Sequence, residues 1–297
     1  MSKRKSSKIK RLYTSVLTLL SPTLNTKVLY KRYFKKPLNL KSPKTLNEKI
    51  LWLKLNCYYK NPLITQCADK YAVREYVKAR GCEEILNELY GVYSDLKDIE
   101  WEKFPEKFVL KLNYGCGYNL ICQEKSHLNI NQIKKVLNSW KKSRMHLWYS
   151  EMQYKDIKRK FICEKYLENR EGLSPEDYKF YCFNGSVEYV MVCCERESGN
   201  PKFYYFDKNW IFMKNFSADG IKADVDFYLP KPEGFEKMIA YACKLSQEFP
   251  FVRVDLYYCD RKIIFGELTF TPGAALDNTR PPEIDLLFGK MLHLEID

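Results

Sequence analysis

Two carboxylates near the C-terminus carry the most chemical information in this chain. In residues 252–258, Arg253, Asp255 and Tyr257 alternate onto one face of a strand, and in residues 264–270 Phe265, Glu267 and Thr269 do the same. A turn centred on Arg261 sets Asp255 opposite Glu267 and Arg253 opposite Thr269. Directly opposed hairpin residues have Cβ atoms about 4.5–5.5 Å apart, and like charges there repel. The flanking Val252, Val254, Leu256, Ile264 and Leu268 are those of a largely buried hairpin. Two readings stay open. Either the carboxylates share Mg²⁺, because hard divalent cations take carboxylate oxygens, or Arg253 neutralises one while the other lies at an exposed edge.

Residues 107–113 alternate in the same way. Phe108, Leu110 and Leu112 face one side; Val109, Lys111 and Asn113 face the other. The turn at 114–119 contains Gly115-x-Gly117, which lets backbone amides approach an anion. It has neither the G-x-x-x-x-G-K pattern nor a third dinucleotide-type glycine, so an ordinary hairpin turn explains it equally. A third feature is Glu164-Lys165-Tyr166-Leu167, followed by Asp177 and Lys179 on one strand face with Tyr181. A lysine in an apolar strand reads either as a phosphate contact or as part of a solvated edge pair.

These groups need elements to hold them. Residues 46–55 have helical spacing, and Asp69 looks like the N-cap of a helix over 70–80 that stops at Gly81. A Pro-containing link at 101–106 leads into strands. Helices are expected at 131–142 and 234–248, and strands at 107–113, 120–123, 161–167, 178–183, 188–194, 202–206, 251–258 and 262–271. The expected class is α+β, mainly antiparallel strands with helices laid against them.

Composition bounds the rest. With 297 residues, 45% apolar and 29% charged, the chain has material for a substantial core and is not disordered. No apolar run approaches the ~20 residues of a membrane-spanning helix. The net charge of +13 is uneven: residues 1–60 hold 16 Lys and Arg against one acid, Glu48, and the remainder is close to neutral. Such a segment attracts nucleic acid, anionic lipid or an anionic polymer. Its basic start and moderately apolar 12–20 stretch imitate a signal peptide, but Thr14, Ser15 and Thr18 dilute the run and no small-x-small cleavage site follows. The 11 scattered cysteines show no disulfide framework and no C-x-x-C. A cytoplasmic protein is expected, with residues 1–45 forming a basic amphipathic arm able to rest on the inner face of the membrane.

The pieces occur in a telling order: a strand lysine, a Gly-rich hairpin, E-K-Y-L, a second lysine, Arg-x-Asp, then Glu-x-Thr. That order resembles the ATP-grasp superfamily, and in detail its TupA-like branch of bacterial surface-polysaccharide and teichuronopeptide proteins. The resemblance runs from SPKTLNEKILWLKL through ADKYAVREYV, KFVLKLNYGCGYN, EKYL, DYKFYCFNG and VRVDLYY to FGELTFTPGA. It implies two α+β lobes clamping ATP. Lys111 and Lys179 would hold the phosphates, and Gly115 and Gly117 would lie in the loop covering them. Glu164 and Leu167 would contact adenine mainly through backbone groups, and Asp177 the ribose. Asp255 and Glu267 would bind Mg²⁺, with Thr269 where many relatives carry Asn, and Arg253 would stabilise the transferred phosphoryl group or the acyl intermediate. The implied organisation is the arm at 1–45, a helical substrate region at 46–105 and an ATP-grasp core at 106–297, divided into a Gly-rich-hairpin lobe (106–163) and a metal-binding lobe (164–297). The implied activity is ATP-dependent ligation of a small carboxylate to an amine or glycan acceptor, in capsule or surface-polysaccharide biosynthesis. The alternatives are a glycosyltransferase of the same pathway, for which Asp224-Val225-Asp226 spells D-x-D but outside a clear strand end, and a nucleic-acid-binding protein using the arm. No nucleic acid is expected, since the charge is confined to the arm and no known module appears.

Overall fold

The computed structural model describes residues 8–168 and 175–295. Helices are α1 (Lys8–Leu20), α2 (Pro22–Phe34), α3 (Leu46–Leu53), α4 (Pro62–Ala68), α5 (Val73–Ala79), α6 (Ile130–Lys141), α7 (Ala218–Lys222), α8 (Phe235–Ser246) and α9 (Pro282–Met291). Strands are β1 (Leu89–Tyr93), β2 (Phe108–Leu112), β3 (Asn119–Cys122), β4 (Phe161–Lys165), β5 (Asp177–Phe183), β6 (Ser186–Cys194), β7 (Lys202–Asp207), β8 (Phe251–Cys259) and β9 (Lys262–Thr269). They form two antiparallel sheets, one ordered β1-β4-β2-β3 and the other β7-β6-β5-β8-β9. The chain is α+β, as its alternation patterns require.

Period-2 burial builds the first sheet. Phe108, Leu110 and Leu112 are wholly buried while Val109 and Lys111 are only partly so. In the second sheet β5 is buried on both faces, because α8 packs Phe235, Met238, Ala242 and Leu245 against it. Asn113 lies just past β2, and its side chain does not share a free face with Lys111. It is wholly buried, donates to the Lys158 carbonyl at 3.0 Å and accepts from the Lys160 N–H at 2.8 Å.

The β8–β9 hairpin reaches the expected pairing by a different route. Its turn is a two-residue one at Asp260 and Arg261, both with positive φ, so Cys259 pairs with Lys262 and Leu256 with Phe265. A bulge at Gly266 then shifts the register by one residue and sets Asp255 opposite Glu267 and Arg253 opposite Thr269. Glycine is needed at the bulge: a Cβ there would stand 2.9 Å from the Asp255 carbonyl oxygen.

Strand β1 and helices α4 and α9 have no counterpart in the sequence expectation, and two further segments take a different form from the one expected. The helix after Asp69 begins only at Val73, because the Asp69 carboxylate first caps a separate turn, accepting from the N–H groups of Tyr71 (2.8 Å) and Ala72 (3.2 Å). Of the arm expected at 1–45, residues 1–7 lie outside the described residues, and the rest packs part of its surface against the body of the chain. Lys27 and Lys31 follow one side of α2, whereas Thr26, Leu29 and Tyr30 are buried on the other. Tyr30 donates to the Glu48 carboxylate at 3.0 Å. Asn25 donates to Thr18 (2.8 Å) and Ser150 (3.0 Å), and Thr18 donates to the Leu147 carbonyl (2.7 Å). Charge counting registers the lysine heads and is blind to the opposite face of the same helix.

Candidate active site

Strand register assembles the site. Lys179 on β5 pairs with Asp255 on β8, and Asp255 pairs with Glu267 on β9, so the three stand in one row across three neighbouring strands. The next row holds Tyr181, Arg253 and Thr269. Asp255 is 3% exposed. It accepts two bonds from Arg253, both 2.6 Å, and one from Lys179 at 2.7 Å. Thr269 bridges, accepting from Arg253 (3.2 Å) and donating to Glu267 (2.9 Å). Lys179 also binds Asp177, which in turn is bound by Arg196.

A residue not singled out in the sequence, Lys70, ties the two sheets together. Its Nζ lies 2.8 Å from Glu267, its backbone N–H donates to the Asn113 carbonyl at 3.0 Å, and the charge of Glu164 on the other sheet also acts on it. Glu164 is clasped by Lys111 (2.7 Å) and Arg74 (3.7 Å). The carboxylate of Glu164 is thus the ion-pair partner of Lys111. Leu167 follows β4 and is half-buried. Asp177 is 1% exposed, and its Oδ2 is bound by Lys179 and Arg196.

The Gly-rich turn is anchored at its base. The Leu112 N–H donates to the Tyr118 carbonyl at 3.0 Å, and the Tyr114 hydroxyl meets His146 Nδ1 at 2.6 Å. Gly115 has φ of 70°, and a Cβ there would collide with Met145 Sδ at 2.1 Å. Cys116 and Gly117 form the exposed tip.

The electrostatic balance favours an anionic ligand. Six cations (Lys70, Arg74, Lys111, Lys179, Arg196, Arg253) are linked to four carboxylates (Glu164, Asp177, Asp255, Glu267). Burial works against ionisation of Glu267, but Lys70 and Arg253 overcome it and hold the carboxyl well below its ordinary range. Burial also opposes the charge on Lys179, yet Asp255 and Asp177 raise it above the ordinary lysine value. Among the described residues no three His, Cys, Asp or Glu side chains form a ready metal cage. Two carboxylates on adjacent strands with a hydroxyl beside them suit Mg²⁺ carried by a polyphosphate, since this ion commonly takes one or two carboxylates and completes its shell with phosphate oxygens and water.

Behind the row lies a second polar group with no signature in the sequence. Thr271 continues the β9 chain and donates to Glu151 at 2.6 Å, Gln153 donates to Thr271 at 3.2 Å, and the wholly buried Lys54 donates to the Tyr149 carbonyl at 2.8 Å. Burial lowers the Lys54 ammonium to about 8, against the opposing charge of Glu151. Between pH 8 and about 10.4 the unfolded chain therefore binds the proton more tightly than the folded one, and stability rises with pH across that window. Lys54→Met should be the more stable protein at pH 7.5, with the gap to wild type closing by pH 10 in urea denaturation. A gap independent of pH would show that Lys54 keeps its ordinary proton affinity.

No curated protein matches the chain. Several solved structures resemble it at low identity. L-amino acid ligase from Bacillus licheniformis is 12% identical, with a TM-score of 0.48 over 88% of this chain and 58% of that one. D-alanine–D-alanine ligase from Bacillus anthracis, complexed with ATP, is 14% identical, with a TM-score of 0.39 over 69% of this chain and 54% of that one. D-cycloserine synthetase is 14% identical, with a TM-score of 0.44 over 78% and 71%. The chain thus spans little more than half the length of the first two. A family model is matched much more fully, along residues 48–293, from Glu48 at the start of α3 past the end of α9, and by that match the chain belongs to the TupA-like ATP-grasp family.

Proposed function

We propose that the protein is an ATP-dependent carboxylate–amine ligase acting in bacterial surface-polysaccharide biosynthesis, on the cytoplasmic side of the membrane. The observation that carries the reading is the Lys179–Asp255–Glu267 row, joined through Lys70 to Lys111 and Glu164 on the other sheet. A carboxylate is a poor electrophile. Its oxygen attacks the γ-phosphorus of ATP, the bond to ADP breaks, and an acyl phosphate forms. The amine nitrogen then attacks the acyl carbon, phosphate leaves, and the amine loses a proton to give the amide.

Most of this catalysis is positioning and charge neutralisation. Lys111 and Lys179 take the phosphates, exchanging Glu164 and Asp255 for phosphoryl oxygens. Arg253 neutralises the transferred phosphoryl group. Backbone groups at Glu164 and Leu167 hold the adenine, and the Gly115–Gly117 turn covers the phosphates. Asp255 and Glu267, with the Thr269 hydroxyl, would hold Mg²⁺, which draws charge from the phosphoryl oxygens. Residues 46–105 would form the substrate region and the two sheets the cores of the two lobes; the division expected between 163 and 164 moves to the link between β4, which ends at Lys165, and β5, which starts at Asp177, because β4 is one continuous strand and β1 pairs with it. The glycosyltransferase reading has less support: Asp224 and Asp226 flank Val225, which is fully exposed on a turn and not at a strand end.

Thermal stabilisation separates these readings. Mg²⁺·ATP should raise the melting temperature, whereas UDP-sugars or RNA should not. Stabilisation by a UDP-sugar alone would reverse the assignment, and an ADP-release screen over amino acids and uronic acids then finds the carboxylate. Lys111→Ala should weaken ATP about ten- to a hundred-fold, the loss of one charge-assisted contact. The melting temperature of the apo protein should barely change, because Lys111 is partly exposed and Arg74 still faces Glu164. Unchanged affinity in calorimetric titration would remove Lys111 from the phosphate site.

A further inference from the structure

Helix α1 is built inside out. Its polar side faces the protein: Thr14 and Thr18 are buried, Thr18 meets Ser150 at 2.8 Å, and the Arg11 guanidinium stacks 4.1 Å from the Trp148 ring centre. Its apolar side faces outward. Ile9 (79% exposed), Leu12 (67%), Tyr13 (54%), Val16 (48%), Leu19 (69%) and Leu20 (74%) recur at the i, i+3, i+4, i+7 spacing of a single helical stripe. An amphipathic helix in water turns that stripe to the core; here the pinned polar face prevents it. Exposed apolar stripes of this kind mark interaction surfaces.

The surrounding charge selects the occupant. Lys8 and Lys10 are exposed on the same helix, and Lys27, Lys31, Arg32, Lys35 and Lys36 on α2 and just beyond it. A second copy would bring two such segments together, each with 16 basic residues against one acid in residues 1–60. An anionic surface with an apolar interior meets both the stripe and the lysines. We propose that α1 is an in-plane membrane anchor, its stripe entering the headgroup–acyl boundary of an anionic bilayer while the basic residues pair with lipid phosphates. The same helix is bonded to the 147–151 segment, whose Glu151 accepts from Thr271 just beyond β9, so the anchor is fixed to the body of the protein.

This surface stands apart from the ligase chemistry, and its test uses no nucleotide. The full chain is sedimented with vesicles of phosphatidylcholine alone or mixed with phosphatidylglycerol. Wild type should bind the mixed vesicles at least ten-fold more tightly than the neutral ones, and added salt should reduce the difference. Leu12→Glu with Leu19→Glu should cut binding to the mixed vesicles roughly a hundred-fold with an unchanged melting temperature, since both side chains are exposed. Absence of wild-type binding to the mixed vesicles, or a double variant that binds like wild type, overturns the proposal. So does concentration-dependent dimerisation in analytical ultracentrifugation that the same two substitutions abolish, because the stripe would then be covered by a second copy.

Discussion

Asp255→Asn should destabilise the free protein by about 3–5 kcal/mol and remove Mg²⁺·ATP-dependent ADP release. The substitution keeps the shape of the side chain and deletes its charge. Arg253, which makes two 2.6 Å bonds to Asp255, and Lys179, at 2.7 Å, are then left as buried cations with weaker partners. Breaking a buried pair on one side costs about that much, because the other charge remains uncompensated. Like-charge repulsion with Glu267 does not offset it, since Lys70 already neutralises Glu267 at 2.8 Å. Turnover falls for a separate reason: a carboxamide is a poor ligand for a hard divalent cation beside a polyphosphate. Urea denaturation reads the first effect and ADP release the second. An unstable variant with full Mg²⁺-dependent turnover would make Asp255 a structural partner of Arg253 and take the metal away from this hairpin.

Arg280→Leu should be as costly without touching the candidate site row. Arg280 is 7% exposed and reaches Asp285 on α9 at 3.0 Å and Asp277 at 3.2 Å. Asp285 also accepts from the Asn47 N–H at 3.2 Å, and the Asn47 side chain donates to the Asp277 carbonyl at 3.0 Å. The cluster therefore fastens α3, α9 and the loop after β9 to one another. Losing the guanidinium strands the buried Asp285 carboxylate, for an expected loss of about 3–5 kcal/mol. Arg280→Leu combined with Asp285→Leu should recover a large part of it, because removing both charges leaves none unpaired. A double variant no more stable than the single one would show that the cluster acts through packing against Phe288 and Tyr181 alone.

The β8–β9 hairpin shows how a local pattern can succeed without the local geometry. Period-2 alternation placed Arg253, Asp255, Glu267 and Thr269 on one face, and face assignment depends only on parity. The turn lies half a residue from where symmetry about Arg261 puts it, and the Gly266 bulge restores the parity. A bulge has no signature in alternation beyond a glycine, so the pairing was legible while its mechanism was not. At the N-terminus the reverse happened. The lysine content was legible, but the buried side of α2, with Asn25 and Tyr30, depends on Ser150 and Glu48 being there to receive it.

By itself, then, the sequence determined most of the strands and the chemical types, though not β1, α4 or α9: alternating strands that present Lys111, Lys179, Arg253, Asp255 and Glu267, a Gly-rich turn, and amphipathic helices such as α8 to cover the second sheet. These follow from backbone periodicity, which acts over a few residues. Only the tertiary structure decided the pairing of charges. Lys70 lies 197 positions from Glu267, and Lys179 lies 76 from Asp255. Arg196 reaches Asp177 from a turn entered by a left-handed Glu195, where no periodicity applies. Lys54 and Glu151 gain their perturbed proton affinities from burial that no single segment encodes. Coulombic pairing and desolvation are properties of proximity in space, so they appear only once both sheets and the N-terminal helices are in place.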